Sequence, residues 1–134
     1  MSELLLDIKD LEVTYQTGKE VVHAVNGVSL AIRRGETLGL VGETGAGKTT
    51  VSLAVLRLLP ERTAHIACGE VQFAGQDLLK LPESEMRTIR GEKISMIFQD
   101  PMTALNPIMP VGKQISEALL LHNHQNRTHA QIEE

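Results

Sequence analysis

The chain has 134 residues, the size of one ordinary domain, in which folding buries roughly two-thirds of the unfolded surface. Thirteen Lys and Arg against 17 Asp and Glu give a formal charge of −4, and charged residues are 22% of the chain, so no basic footprint for nucleic acid or an anionic membrane exists. The single cysteine, Cys68, excludes an intramolecular disulfide and suits a reducing compartment. No apolar run approaches the ~20 residues of a membrane span and no basic leader opens the chain, which reads as cytoplasmic, or membrane-bound only through a partner.

Leu4, Leu6 and Ile8, then Leu11, Val13 and Tyr15, alternate with polar residues and predict strand, with a turn at Thr17-Gly18-Lys19. Val21 to Val25, Asn26-Gly27, and Val28 to Ile32 predict a hairpin, because Asn-Gly readily supplies positive φ. A second turn at Arg33 to Glu36 leads into Thr37-Leu38-Gly39-Leu40-Val41, whose continuous apolar character predicts a strand buried on both faces. A glycine-rich loop then precedes an apolar, glycine-free segment stopped by Pro60, which predicts a helix over 48–59. Gly69 to Phe73 reads as strand, Ala74 to Asp77 as turn, Pro82 to Arg90 as a short helix, and Lys93 to Phe98 as another buried strand. After a loop holding Pro101, Pro107 and Pro110, a helix begins near Val111 with Ile115, Ala118 and Leu119 on one face, and nothing in the sequence ends it.

Gly42-Glu43-Thr44-Gly45-Ala46-Gly47-Lys48-Thr49 satisfies G-x-x-x-x-G-K-[ST] between a predicted strand and a predicted helix. Glycines let successive backbone N–H groups converge on a β-phosphate, and the helix N-terminus adds positive potential at the same place. Lys48 would bridge β- and γ-phosphate oxygens, the Thr49 hydroxyl would ligate Mg²⁺, and Thr50 could reach the α-phosphate. The motif does not choose among phosphate-loop enzymes. The absence of an Asn-Lys-x-Asp tetrapeptide leaves guanine specificity without support.

Ala24 to Leu30 and Arg34 to Gly42 resemble the approach to the Walker A loop in ATP-binding subunits of ABC transporters, and Ser95-Met96-Ile97-Phe98-Gln99-Asp100-Pro101 resembles their Q-loop. Met102 to Pro107, ending Leu105-Asn106-Pro107, is similar to importers of dipeptides and oligopeptides, with nickel importers as near relatives. The resemblance implies an α/β fold, a P-loop NTPase of the ABC nucleotide-binding type. It implies an antiparallel β region over 1–36, a P-loop core through the Q-loop over 37–110, and the start of a helical subdomain over 111–134.

The same resemblance places Tyr15 where an aromatic ring stacks on adenine, and Gln99 where a glutamine approaches the Mg²⁺ and the attacking water. It implies ATP and Mg²⁺ as cofactors, transmembrane permease subunits and a second ATP-binding subunit as partners, no nucleic acid, and a peripheral place on the cytoplasmic face of the membrane. The expected function is ATP-driven peptide import. A nucleotide-binding fragment without catalysis of its own and a soluble non-transport ATPase stand as alternatives.

Neither Leu-Ser-Gly-Gly-Gln nor any Asp-Glu dipeptide occurs among the 134 residues, so the chain is expected to stop short of the signature and the catalytic carboxylate and not to hydrolyse ATP alone. Met96 to Asp100 imitates a Walker B strand, but Gln99 interrupts it and Pro101 turns it into a loop. At helical spacing His124 lies roughly 200° round from His122, so those two do not converge and only His122 and His129, seven apart, share a face; a solvated helix surface is expected there rather than a metal site.

Overall fold

The computed structural model describes residues 3–123 and 126–133. They form two compact units, Met1–Met86 and Arg87–Glu134.

The first unit is built on an antiparallel sheet of four strands, β1 (Leu4–Thr17), β2 (Glu20–Arg33), β3 (Ala64–Phe73) and β4 (Gln76–Asp77), in the order β2-β1-β3-β4. Thr17 pairs with Glu20, so Gly18 and Lys19 alone make the first hairpin turn, Gly18 at φ +62. The expected second hairpin does not form. Asn26 and Gly27 lie inside β2, where Gly27 at φ +65 sits at a register shift between the Leu11–Val28 and Val13–Val25 pairs. Its positive φ makes a bulge rather than a reversal. Ala74 and Gly75, both at positive φ, close the β3–β4 hairpin; the predicted turn thus shrinks to two residues and Gln76–Asp77 becomes a short strand. Asp77 accepts from the Leu79 N–H and pairs with Lys80 at 2.9 Å.

β1 is an inner strand and supplies the core residues Ile8, Leu11 and Val13, which are fully buried, as are Val71 of β3, paired with Ile8, and Leu78. It bends at Asp10, a non-glycine residue at φ +46 whose N–H donates to the Ser29 hydroxyl, which in turn donates to Asp10 Oδ1. Opposite this bend Gly69 is obligatory, since a Cβ there would lie 2.6 Å from the Leu11 backbone.

Helix α1 (Lys48–Val55) buries Val51, Ala54 and Val55 and contacts β2. It ends four residues before the expected boundary. The Arg57 N–H donates to Ala54 and the Leu58 N–H to Leu53, a Schellman closure with Arg57 at φ +53. The Arg57 guanidinium donates to the Leu78 and Leu81 carbonyls at 3.4 and 2.6 Å, holding a side chain where glycine is usual. Helix α2 (Glu83–Ile89) follows Pro82, as expected, and buries Met86 and Ile89.

Neither predicted buried strand forms. Residues 37–41 and 95–98 make no ladder, and only Ile94 bridges to Arg90. Val41 is 95% exposed and Ile97 98% exposed. A parallel strand is stable only with hydrogen-bonded neighbours and covered faces, and no described residue pairs with either run.

In the second unit, Asp100 caps a 3₁₀ turn over Pro101–Thr103, accepting from the Met102 N–H at 2.9 Å. Helix α3 (Val111–Leu121) starts where expected, but it ends at His122 instead of running on, and its Ile115 and Leu119 are exposed. Asn123 closes the following loop by accepting from the Arg127 N–H and donating to the Arg127 carbonyl. Thr128 and Gln131 then make a reciprocal capping box for α4 (His129–Glu133).

Candidate nucleotide-binding site

The loop from Gly42 to Thr49 is open, glycine-bent and joined directly to a helix start. Gly45 and Gly47 take φ +84 and +87, a left-handed backbone that side chains resist. Gly47 is the N-cap of α1 and supplies no side-chain cap; its carbonyl accepts the first helical bond, from the Val51 N–H at 2.9 Å. The N–H groups of Lys48, Thr49 and Thr50 precede that bond, so the positive end of the helix dipole faces the loop uncapped.

Lys48 folds back over this opening. Its ammonium donates to the carbonyl of Gly42 and, at 2.7 Å, to that of Glu43. The Ala46 N–H closes a turn onto the Glu43 carbonyl at 3.1 Å. One cation is therefore held by neutral carbonyls at the mouth of an amide cradle, a contact that an anionic oxygen would outcompete. Thr49 is exposed at the second residue of α1, and Thr50 is half-buried.

The loop is anchored to the sheet at one point that sequence reasoning did not identify. The β1–β2 register steps from Val13–Val25 to Thr14–His23, leaving Ala24 as an extra residue in β2. A Cβ at Gly47 would lie 2.5 Å from the Ala24 carbonyl oxygen and 3.4 Å from Val25. The bulge thus receives the loop backbone at a position only glycine fits. Its trace in the sequence is the broken alternation of Val21-Val22-His23-Ala24-Val25.

Tyr15 stands on β1 opposite Val22 and Ala64, half-buried, in the middle of three strands. Val22 is two residues from Ala24, so the Tyr15 backbone lies on the order of 10 Å from Gly47 by strand rise and spacing. Gln99 belongs to the second unit, exposed and directly before Asp100.

The three histidines fall differently. His122 caps α3 with Nδ1 3.8 Å from a Glu92 carboxylate oxygen, and its ring lies where a Gly91 Cβ would be, so it is packed rather than part of a solvated helix face. His124 and the side chain of His129 lie outside the described residues.

Residues 25–134 match the family described as ABC transporter. The chain is 48% identical over 129 residues to a probable peptide ABC transporter ATP-binding protein of Sinorhizobium fredii, covering 96% of this chain and 38% of that protein. It is also 48% identical over 118 residues to an oligopeptide transport ATP-binding protein of Bacillus subtilis, covering 88% of this chain and 33% of the relative. Among solved structures it superposes, with a TM-score of 0.81 and 24% identity, on a dimeric ATP-binding cassette in a post-hydrolysis state bound to ADP and Pi, covering 96% of this chain and 53% of that one. The chain belongs to the ABC transporter family, and its fold is that of part of the family's P-loop cassette. It spans between a third and two-fifths of the length of these curated relatives.

Proposed function

We propose that this chain binds Mg·ATP and forms part of the ATP-binding subunit that energises peptide import through a membrane ABC transporter. The observation carrying this reading is the Lys48 ammonium held on the Gly42 and Glu43 carbonyls, beside the uncapped start of α1. In this reading residues 1–36 are the antiparallel β region, 37–110 the P-loop core through the Q-loop, and 111–134 the start of the helical subdomain.

Gly42, Glu43, Thr44, Gly45, Ala46 and Gly47 wrap the β-phosphate with their amides, and Lys48 exchanges two neutral carbonyls for the β- and γ-phosphate oxygens. The exposed hydroxyl of Thr49 is a hard oxygen at the phosphate end of the helix, which suits Mg²⁺, and the Gln99 side-chain carbonyl is a second such donor. Bound Mg²⁺ would neutralise phosphate charge. Thr50 supports the α-phosphate, and Tyr15 offers its ring to the adenine. No described helix is long and apolar enough to cross a membrane; in this reading transmembrane permease subunits are the partners, with a second ATP-binding subunit completing the site.

Lacking a signature sequence and an Asp-Glu pair among its 134 residues, the chain by itself binds without turnover. The test is ATP-dependent uptake of a labelled oligopeptide by vesicles carrying the assembled transporter. Uptake abolished by Lys48→Ala is the expected result. Uptake that is indifferent to Lys48, or absent for peptides while present for another solute, overturns the assignment.

A further inference from the structure

Helix α1 begins at the phosphate loop and is closed at its other end by a residue that its backbone disfavours. Arg57 takes φ +53 in the turn after Leu56, a left-handed conformation that glycine adopts freely and any residue with a Cβ resists. What offsets this strain is the reach of the side chain. Its Nη1 donates to the Leu81 carbonyl at 2.6 Å and, at a longer 3.4 Å, to the Leu78 carbonyl, in a part-buried position.

The segment that Arg57 grips is itself fixed. Leu78 is fully buried and its N–H donates to the Val71 carbonyl of β3 at 2.8 Å. Asp77 accepts from the Leu79 N–H and pairs with Lys80. The Pro82 carbonyl accepts from the N–H groups of Glu85 and Met86, and Met86 is fully buried. The two carbonyls are therefore held acceptors rather than groups on a loose loop.

With eight residues, α1 is only about 12 Å long. At its start the Gly47 backbone lies against the Ala24 carbonyl; at its end Arg57 joins it to Leu78 and Leu81. A rod this short passes any tilt at one end to the other. The amides at its start must converge on phosphate oxygens to within about 0.5 Å to bind them at full strength.

We propose that Arg57 is a positioning residue for the nucleotide site: by tying the C-terminal end of α1 to the Leu78 and Leu81 carbonyls, it sets where the Lys48, Thr49 and Thr50 amides point. The inference rests on the reading of Gly42 to Thr49 as the ATP site. Arg57 lies beyond the far end of α1 from that loop and acts through the helix it holds.

Two variants separate positioning from stability. Arg57→Gly removes the guanidinium and the left-handed strain together, so its two effects on folding oppose each other. Arg57→Lys keeps the strain and a cation, with a shorter and poorer clamp. Urea unfolding, exchange of the Val51 amide that bonds to the Gly47 carbonyl, and calorimetric Mg·ATP affinity are measured on the full-length protein. Arg57→Gly should unfold near the wild-type midpoint, exchange Val51 faster, and bind Mg·ATP about three- to tenfold more weakly, as loss of one to two net hydrogen bonds allows. Arg57→Lys should be the less stable of the two variants and yet the tighter binder. A merely structural role would make affinity follow stability. Wild-type affinity in Arg57→Gly, or affinities ranked as the stabilities are, would overturn the proposal and leave the ATP site standing. Failure of the wild-type protein to bind Mg·ATP would overturn the reading of the loop and this inference with it.

Discussion

An alanine at position 47 would meet two separate penalties, and the structure allows them to be measured apart. The first is conformational. At φ +87 an L side chain crowds its own backbone, at a cost of about 1–2 kcal/mol. The second is steric, because the Cβ would stand 2.5 Å from the Ala24 carbonyl oxygen, and a backbone oxygen on a paired strand cannot rotate aside. Gly45 is the control. It takes nearly the same φ, +84, and a Cβ there meets nothing within 4 Å, so Gly45→Ala incurs only the first cost. Gly45→Ala should therefore lose about 1–2 kcal/mol, and Gly47→Ala about 2–4 kcal/mol as loop strain is added. Because the loop must lift from β2 to relieve the clash, Gly47→Ala should also lose more ATP affinity than Gly45→Ala. Urea unfolding monitored by circular dichroism, with calorimetric titration of Mg·ATP on the same preparations, reads both effects. Equal stability and equal affinity for the two variants would refute the anchoring of the loop on the Ala24 bulge.

At Tyr15, phenylalanine should preserve nucleotide affinity, whereas alanine should lose about 1–3 kcal/mol by analogy with base–aromatic stacking; an adenine-fluorescent ATP analogue checks both, and an unchanged affinity for Tyr15→Ala would make the ring scaffold. Asp77 predicts a pH dependence. Burial raises its pKa, but the hydrogen bond from Lys80, the Leu79 N–H and the Lys80 charge outweigh that and hold the carboxyl below its ordinary value. The folded-state pKa is depressed, so its stabilisation is present above the ordinary aspartate range near pH 4. It is lost as the pH falls through the lowered value. Asp77→Asn should thus be less stable than wild type at neutral pH and converge with it in acid; a gap independent of pH would contradict the sign.

What the sequence disclosed follows from which signals are local. The glycine-bent turn into α1 was legible because Gly42 to Thr49 shape it within eight consecutive residues, and the same holds for Gly18-Lys19, Pro82 and the start at Val111. Asn26-Gly27 misled because a positive φ serves a bulge as well as a turn, and only the pairing of β2 with β1 along its whole length decides between them. The runs 37–41 and 93–98 misled for a related reason: apolar composition records that a strand wants neighbours, not that neighbours are present. The helix expected over 48–59 ends at Val55, and carbonyls from Leu78 and Leu81, more than twenty residues away, hold the Arg57 side chain just beyond its cap. Ala24 at the bulge, and Gln114, whose side-chain amide bonds both the N–H and the carbonyl of Asn106, were invisible for the same reason, since each acts through a backbone group rather than through a residue type.

Calorimetric titration of Mg·ATP into the wild-type chain and into Lys48→Ala and Lys19→Ala tests the central claim most directly. In the structure the Lys48 ammonium is bound to two exposed loop carbonyls, which water can satisfy, so its removal should leave folding nearly unchanged. Each charge-assisted bond it makes to phosphate is worth about 1.5–3 kcal/mol, so affinity should fall roughly 10- to 150-fold. Lys19, at the far hairpin turn, should bind as wild type does. Equal affinities across the three proteins, or no binding by the folded wild-type chain, would contradict the assignment of this loop as the ATP site.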